Sequence, residues 1–269
     1  MPELPEVQTI VNNLRPTLSG RRILSAELRW ERTLVTPSVA AFQKQIVGQF
    51  IGDVMRRGKF LILQLTDFYL LIHLRMSGDL RLEEAPYEPG KHDRLLLGLD
   101  DARVLIFNDP RKFGRLWLTR QPEEVLGKLG PEPLDPAFTA EDFVQRLHAR
   151  RRLLKPLLLD QSFLAGLGNI YTDEALHVAG LHPLSFSNQI NETQAVRLLA
   201  AIRQVLQDGI AHNGASIDWV YRGGKFQHHF RVYGCTGRPC PVCGTPIERI
   251  TVGQRGTHFC PSCQAQGGS

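Results

Sequence analysis

The chain has 269 residues, of which 42% are hydrophobic and 22% are charged, and it carries a formal net charge of +5. This length exceeds a usual single hydrophobic core, and the composition excludes intrinsically disordered and collagen-like proteins. The start has no basic stretch leading into an apolar segment, and no apolar run of about 18 residues follows. We therefore expect a cytoplasmic protein without a membrane partner.

The hydrophobic pattern predicts a helix at the start, followed by strands. The apolar face of the helix carries Val7, Ile10, Val11 and Leu14. We expect this helix to end at Pro16. From residue 22 to about 118, short apolar runs broken by turn residues predict a domain of strands. Within it, the stretch FLILQLTDFYLLIHL predicts paired strands.

The second half of the chain has a different texture. Residues 120–136 carry four prolines and two glycines and predict a linker. From Phe138 to about Ile210 the pattern is helical, and Thr139 followed by Glu141 and Asp142 is a helix-start signal. The last part of the chain shows no helical periodicity. From position 222 onward it contains six Lys/Arg residues and one acidic residue. That tail can contact phosphates or be a solvated basic surface.

Four cysteines at the end predict a metal site. They form the pattern C-x2-C-x16-C-x2-C and are Cys240, Cys243, Cys260 and Cys263. Two such turns can direct four thiolates at one structural Zn²⁺, and the segment between them reads as a β-hairpin, so we predict a zinc ribbon. Two disulfides are the alternative, which a reducing compartment disfavours. Cys235 is left over as a free thiol, and the ribbon would hold Arg255 on a rigid loop suited to gripping phosphate.

A glycine-rich turn between two predicted helices is the second informative stretch. It reads LAGLGNIYTDEAL, and Asn169 lies where the second helix could begin. The amides of a helix start bind phosphate readily, and glycines allow close approach of another backbone. The alternative is a tight helix–helix turn with Asn169 as an ordinary N-cap.

Together these motifs resemble one protein family. The segments are PELPEV after Met1, LAGLGNIYTDEAL, and VYG followed by PCPVCGTPI and QRGTHFCPSCQ. In this order they resemble the bacterial formamidopyrimidine-DNA glycosylases, which excise oxidised purines such as 8-oxoguanine and formamidopyrimidines and then nick the strand. The resemblance implies an α+β multidomain fold. Its expected parts are an N-terminal helix with a β-sandwich domain (1–120), a linker (121–136), a helix-two-turn-helix domain (137–225) and a zinc ribbon (226–269).

The resemblance gives the N-terminus a chemical role. Once Met1 is removed, Pro2 presents a secondary amine that titrates near the α-amino range of about 7.7–8.0, so a usable fraction is neutral. Attack on C1′ expels the base and leaves an iminium that stays cationic, which favours β,δ-elimination of both phosphates. Glu3 is implied as the proton donor, and Glu6 as a group that orients Pro2 or a water. From the residues alone, both glutamates read as partners of the helix dipole.

Other positions match the family's DNA-contacting residues. The resemblance implies that Lys59 and Arg255 contact phosphates and donate protons during elimination. It implies a DNA-contacting set of His73, Met76, Arg111, Phe113, Lys155, Asn169, Tyr171 and Arg255. Met76, Arg111 and Phe113 would fill the space left by an extruded base. Otherwise, a lone strand histidine such as His73 is more often a packing residue, and an isolated lysine such as Lys59 is usually solvated.

The sequence also departs from the family pattern. Gln8 stands where glutamate is common, and Cys235 stands where arginine usually follows VYG. The stretch at 214–230, which covers the extruded base in the family, is several residues shorter. Within it, Ser216 and Arg222 are candidate base or phosphate contacts.

We therefore expect a monomeric glycosylase and AP lyase that acts on damaged double-stranded DNA without a small-molecule cofactor. The alternatives are a non-catalytic zinc-containing DNA-binding protein and an endonuclease VIII-like enzyme for oxidised pyrimidines.

Overall fold

The computed structural model describes residues 1–216 and 223–266, and these form two compact units. The first unit comprises Met1–Gly127 with Ala215–Gly224, and the second comprises Lys128–Gly214 with Lys225–Ser269. Two groupings differ from the expected domain limits. Residues 215–224 group with the first unit, and the zinc ribbon groups with the helical region. Among the described residues, no helix has the length and apolar character needed to cross a membrane.

The first unit contains two packed sheets and three helices. The helices are α1 (Leu4–Leu18), α2 (Val39–Ile46) and α3 (Glu123–Leu126), with a 3-10 turn at Glu31–Thr33. The strands are β1 (Ile23–Leu28), β2 (Leu34–Thr36), β3 (Ile51–Arg57), β4 (Phe60–Leu65), β5 (Tyr69–His73), β6 (Asp79–Glu84), β7 (Asp93–Leu99), β8 (Arg103–Asn108) and β9 (Arg115–Thr119). One sheet has the order β1-β7-β8-β6 and the other β2-β9-β5-β4-β3. The predicted β-sandwich is confirmed.

Local sequence explains the main elements of this unit. The apolar face predicted for α1 is buried and joins one core with both sheets. Pro16 does not end α1, since the helix continues to Leu18. A proline in the last turn removes only one hydrogen bond, and the helix closes with Ser19 N–H donating to the Arg15 carbonyl at 3.2 Å. The paired strands predicted from the long apolar stretch are β4 and β5, with Phe60 opposite His73.

The second unit is helical and ends in a hairpin. Its helices are α4 (Ala140–His148), α5 (Leu154–Leu159), α6 (Asn169–Ala179) and α7 (Glu192–Ala211), with 3-10 turns at Ser187–Gln189 and Phe226–His229. Its strands are β10 (Glu248–Val252) and β11 (Arg255–Phe259), an antiparallel pair. The helix start predicted at Thr139 is confirmed, because Thr139 and Asp142 exchange hydrogen bonds of 3.0 and 3.1 Å. Helix α3 lies inside the segment predicted as a linker.

Candidate active site and metal centre

The N-terminal residues are fixed by one buried carboxylate. Glu6 in the first turn of α1 accepts the Glu3 N–H at 2.7 Å and the Ala215 N–H at 2.8 Å through its two oxygens. Glu3 and Glu6 are both buried. Hydrogen bonds to an ionised acceptor are stronger than neutral ones. The backbone directly after Pro2 is therefore held in place, and the same carboxylate ties residue 215 to this unit.

Lys59 and His73 lie close together at one end of the β4–β5 pair. Lys59 occupies the turn before β4, and the His73 ring meets the Phe60 ring edge-on at 4.7 Å. Burial, together with the positive charges of Arg75 and Lys59, lowers the pKa of His73 to about 3. Its neutral ring accepts the Arg75 N–H through Nδ1 at 3.0 Å. His73 therefore acts as a buried acceptor at the base of the following loop.

Two adjacent exposed loops carry the predicted space-filling residues. We call them the Met76 loop (residues 74–78) and the Phe113 loop (residues 109–114). Met76 is 39% exposed and Phe113 is 46% exposed. The Arg111 guanidinium lies 4.9 Å from the centre of the Phe113 ring. Phe113 therefore lies at the surface and not in the core.

In the second unit, the start of α6 is bonded to the ribbon hairpin. Asn169 is the first residue of α6, and the N-cap is Gly168 rather than Asn169. Instead of capping the helix, Asn169 Nδ2 donates to the Gly256 carbonyl at 3.0 Å. The neighbouring residue, Arg255, is exposed at the start of β11. The turn before it has positive φ at Gly253 and Gln254 (55° and 63°), so an exposed arginine is held near the first turn of α6.

Lys155 and Tyr171 do not lie on the surface. Lys155 is 0% exposed, and its ammonium pairs with the Asp173 carboxylate and donates to the Asn169 carbonyl at 3.3 Å. Tyr171 is fully buried and stacks on Phe226 with ring centres 5.2 Å apart. Both side chains therefore face the interior of this unit in this conformation, and their part in DNA binding stays a prediction. The family resemblance implied these positions but did not show that they are buried.

The four cysteines are arranged for tetrahedral metal coordination. Their Sγ atoms all lie within 4.8 Å of one another, with separations of 3.9 Å between Cys240 and Cys263 and 3.5 Å between Cys243 and Cys260. A tetrahedron with zinc–sulfur bonds of about 2.3 Å has sulfur–sulfur edges of about 3.8 Å. A disulfide needs about 2.05 Å, so the two-disulfide alternative does not fit. Four thiolates in this spacing form a structural zinc site.

Two further side chains lie close to this centre. His177 Nε2 is 3.3 Å from Cys240 Sγ, and burial lowers the pKa of His177 to about 4. A neutral imidazole protonated at Nε2 can donate to the thiolate. Cys235 is a buried free cysteine outside the four-sulfur cluster, and burial raises the pKa of its thiol.

Sequence reasoning missed three buried carboxylates. Asp109 contacts both exposed loops of the first unit. In the second unit, Asp173 accepts the His258 N–H at 3.0 Å in addition to its pairing with Lys155. Glu174 accepts the three backbone N–H groups of residues 231–233 at 2.8–3.0 Å, although burial raises its pKa. In the sequence, the one sign of these three residues is that each is an acidic residue within a motif of predicted functional residues.

Comparison with known proteins places this arrangement in a family. Residues 1–116 match the formamidopyrimidine-DNA glycosylase N-terminal domain, residues 129–220 the H2TH domain of the same proteins, and residues 237–266 a zinc finger found in FPG and IleRS. The chain is 47% identical over 272 residues to the formamidopyrimidine-DNA glycosylase of Chloroflexus aurantiacus, covering 98% of each chain. The chain belongs to the formamidopyrimidine-DNA glycosylase family.

Other formamidopyrimidine-DNA glycosylases agree with this assignment. The Herpetosiphon aurantiacus protein is 44% identical over 273 residues, covering 98% of this chain and all 100% of that one. A structure of MutM in complex with DNA containing carbocyclic 8-oxo-G has a TM-score of 0.92 at 40% identity. The complex between Lactococcus lactis Fpg and DNA with an abasic site has a TM-score of 0.92 at 39% identity. Both alignments cover 98% of this chain and 100% of the other.

The family assignment establishes the general activity. As a formamidopyrimidine-DNA glycosylase, the chain is a DNA glycosylase of base excision repair with AP lyase activity, and it acts on damaged DNA. The zinc-finger match contains all four clustered cysteines. In the shortened stretch, Ser216 Oγ accepts the Gly224 N–H at 2.9 Å. Arg222 lies outside the described residues.

Proposed function

We propose that this glycosylase uses the nitrogen of Pro2, exposed after removal of Met1, as the nucleophile for both base excision and strand cleavage. The observation that carries the proposal is the Glu6 carboxylate, which holds the backbone of Glu3 and of residue 215 at once. A nucleophile must be held in a near-attack position, and a bare chain terminus is otherwise free to move. This double anchor supports a catalytic role for the residue that precedes Glu3.

The proposed reaction begins at C1′ of the damaged nucleotide. The Pro2 nitrogen forms a bond to C1′ of the damaged nucleotide, and the base leaves with the electrons of its C1′–N bond and takes up a proton. The Pro2 nitrogen gives up its only proton. Glu3 then protonates O4′ as the C1′–O4′ bond opens, and the nitrogen lone pair completes a C1′=N iminium. This cation cannot lose a further proton from nitrogen, so it remains an electron sink.

The iminium then promotes elimination. Loss of a C2′ proton sends an electron pair towards the iminium and expels the 3′ phosphate, and a second elimination expels the 5′ phosphate. Lys59 and Arg255 are proposed to contact the departing phosphates and to supply protons to them. Water finally hydrolyses the adduct and regenerates the amine. Glu6 is proposed to orient Pro2 through its bond to Glu3, consistent with its burial.

We propose oxidised purines, 8-oxoguanine and formamidopyrimidines, as the substrates. Met76 and Phe113 would fill the space left by the extruded base, while Arg111 would hydrogen-bond the orphaned cytosine. Their exposure on two adjacent loops supports this role, because it leaves both side chains accessible to DNA. Asn169 and the first backbone amides of α6 would bind a backbone phosphate. His73 would stabilise the Met76 loop by accepting the Arg75 N–H.

We further propose that Lys155 and Tyr171 serve DNA binding indirectly. Lys155 connects the Asn169 carbonyl to Asp173, and Asp173 in turn accepts the His258 N–H of the hairpin. Tyr171 packs behind the same helix start. A single Zn²⁺ would complete the support by holding the hairpin that presents Arg255. Bound zinc supplies folding energy to a segment that buries few apolar side chains.

Borohydride trapping tests the nucleophile. The protein with Met1 removed is incubated with a duplex containing 8-oxoguanine opposite cytosine, reduced, and digested, and mass spectrometry locates the attached sugar. We expect the adduct on Pro2. The matched control is the same chain retaining Met1, which has no free proline amine and should form no adduct. An adduct on another residue, or equal trapping of both forms, would refute the assignment.

A broader lesion range is a second candidate. A Lactococcus lactis Fpg structure at 39% identity contains DNA with an oxidised pyrimidine. We therefore include a duplex with an oxidised pyrimidine in the trapping experiment. Faster trapping on that duplex than on 8-oxoguanine would favour the endonuclease VIII-like alternative. No trapping on either duplex or on an abasic site would leave a DNA-binding protein without catalysis.

A further inference from the structure

The Met76 loop and the Phe113 loop each contain a strained residue. Arg75 has φ 55° and Lys112 has φ 60°, and both are non-glycine residues in the left-handed region. Such conformations are unfavourable for residues with a side chain and persist only where the surroundings enforce them. Each strained residue lies within one position of Met76 or Arg111. Something in the fold must therefore hold both exposed loops in shape.

Asp109 bonds to both loops at once. Its side chain is 0% exposed, and Oδ1 accepts the hydroxyl of Ser77 in the Met76 loop. Within the Phe113 loop, Oδ1 accepts the Arg111 N–H at 3.2 Å and Oδ2 accepts the Gly114 N–H at 2.7 Å. Ser77 Oγ also accepts the Arg111 N–H at 3.3 Å. One carboxylate and one hydroxyl thus connect the residues that flank Met76 with those that flank Phe113.

The ring of Phe107 packs against both loops. A side chain at Gly78 would meet Phe107 Cε2 at 2.9 Å, and one at Gly114 would meet Phe107 Cζ at 2.3 Å. Both loops therefore need glycine where they rest on Phe107. The chain leaves β8 only two residues after this ring, at Asp109. The end of β8 thus provides both the packing surface and the hydrogen-bond acceptor.

We propose that Asp109, assisted by Ser77, is a positioning residue that makes the Met76 loop and the Phe113 loop enter the DNA stack as one rigid wedge. The inference rests on the proposed space-filling role of Met76, Arg111 and Phe113. Two separate loops would each have to be ordered while the base leaves the stack, and the cost of ordering side chains and loops opposes that step. Loops joined by buried charge-assisted bonds are already ordered before the base leaves the stack.

Asp109 could instead be only a stabilising buried acid, and the chain offers a control for that. Asp93 in β7 is 1% exposed and accepts from Tyr87, Gly90 and Asn108 at 2.7–2.8 Å and from Arg81 at 3.5 Å, outside both loops. Asp93→Asn and Asp109→Asn therefore remove the same charge from similarly buried networks. Only Asp109→Asn disturbs the loops. Ser77→Ala is the second variant, since it breaks the bridge but leaves the carboxylate.

The test compares two substrates. Excision of 8-oxoguanine opposite cytosine requires extrusion of a base, whereas incision at a preformed abasic site does not. We expect Asp109→Asn to lower kcat for excision by about tenfold to a hundredfold, the range for ångström-scale misplacement. KM and abasic incision should change little. A fluorescent cytosine analogue opposite the lesion should brighten less with Asp109→Asn or Ser77→Ala than with the unaltered protein or Asp93→Asn.

A double-mutant cycle separates positioning from stability. In a Phe113→Ala background the wedge is already lost, so Asp109→Asn should cause no further loss of excision. Multiplicative losses, equal losses on both substrates, or an equal effect of Asp93→Asn would overturn the proposal. Failure of the unaltered protein to incise the abasic duplex would instead count against Pro2 chemistry, so the two failures are distinguishable.

Discussion

The buried ion pair between Lys155 and Asp173 allows a quantitative prediction of the free energy of unfolding. Both side chains are 0% exposed, and within the described residues the Asp173 side chain keeps its bonds to His258 when the ammonium is removed. Removing one member of a buried pair leaves an uncompensated charge and costs about 3–5 kcal/mol. We expect Lys155→Met to lower the free energy of unfolding of the second unit by that amount. Urea unfolding of the zinc-loaded full chain, followed by helical circular dichroism, measures it.

The double variant Lys155→Met/Asp173→Asn separates burial from DNA contact. Asparagine keeps an acceptor for the His258 N–H and removes the unpaired charge, so most of the lost stability should return. A loss of less than about 1 kcal/mol for Lys155→Met would refute the pairing argument, because that is the range of exposed ion pairs. In the double variant, the slope of log binding constant against log salt concentration should stay unchanged. A slope smaller by about 1 would restore Lys155 as a phosphate contact.

Three further predictions concern Arg255, His73 and His177. Arg255→Ala should weaken DNA binding at all sequences and reduce the salt slope by about 1, whereas Arg15→Ala should not, because Arg15 is already paired with a carboxylate. Because His73 has a folded pKa of about 3 against 6.5 unfolded, its contribution is complete above pH 6.5 and is lost as pH falls towards 3. When the pH falls from 7.5 to 5, the free energy of unfolding should therefore decrease by about 2 kcal/mol more in the unaltered protein than in His73→Phe. His177→Phe should weaken zinc binding about tenfold in a chelator competition, since it removes the donor 3.3 Å from Cys240; unchanged affinity would contradict this bond.

Local sequence predicted the elements whose chemistry is local. The cysteine spacing predicted the sulfur cluster, because ligand geometry requires two adjacent turns of that kind. Thr139 predicted a helix start, because a capping box needs only four consecutive residues.

Features that depend on distant partners were not predictable in the same way. Lys155 and Tyr171 lie in a segment rich in functional residues, but their burial is decided by Asp173 and Phe226, which pack against them in the fold. Gln8 is half-buried and accepts from Arg56 Nε at 2.9 Å, a contact that its place in the sequence does not reveal. No local pattern distinguishes a side chain that faces a partner from one that faces water.

The buried carboxylates show why contacts that the local sequence does not predict matter for function. Glu6, Asp109 and Glu174 each accept at least two backbone N–H groups, and none of those donors lies in a regular sheet ladder. Irregular backbone must find acceptors when it is buried, and a carboxylate offers two oxygens that can each accept from it. Functional loops need irregular backbone to aim side chains outward. An acid at the foot of such a loop is therefore a positioning element, even though in sequence it resembles a helix-dipole partner or a turn residue.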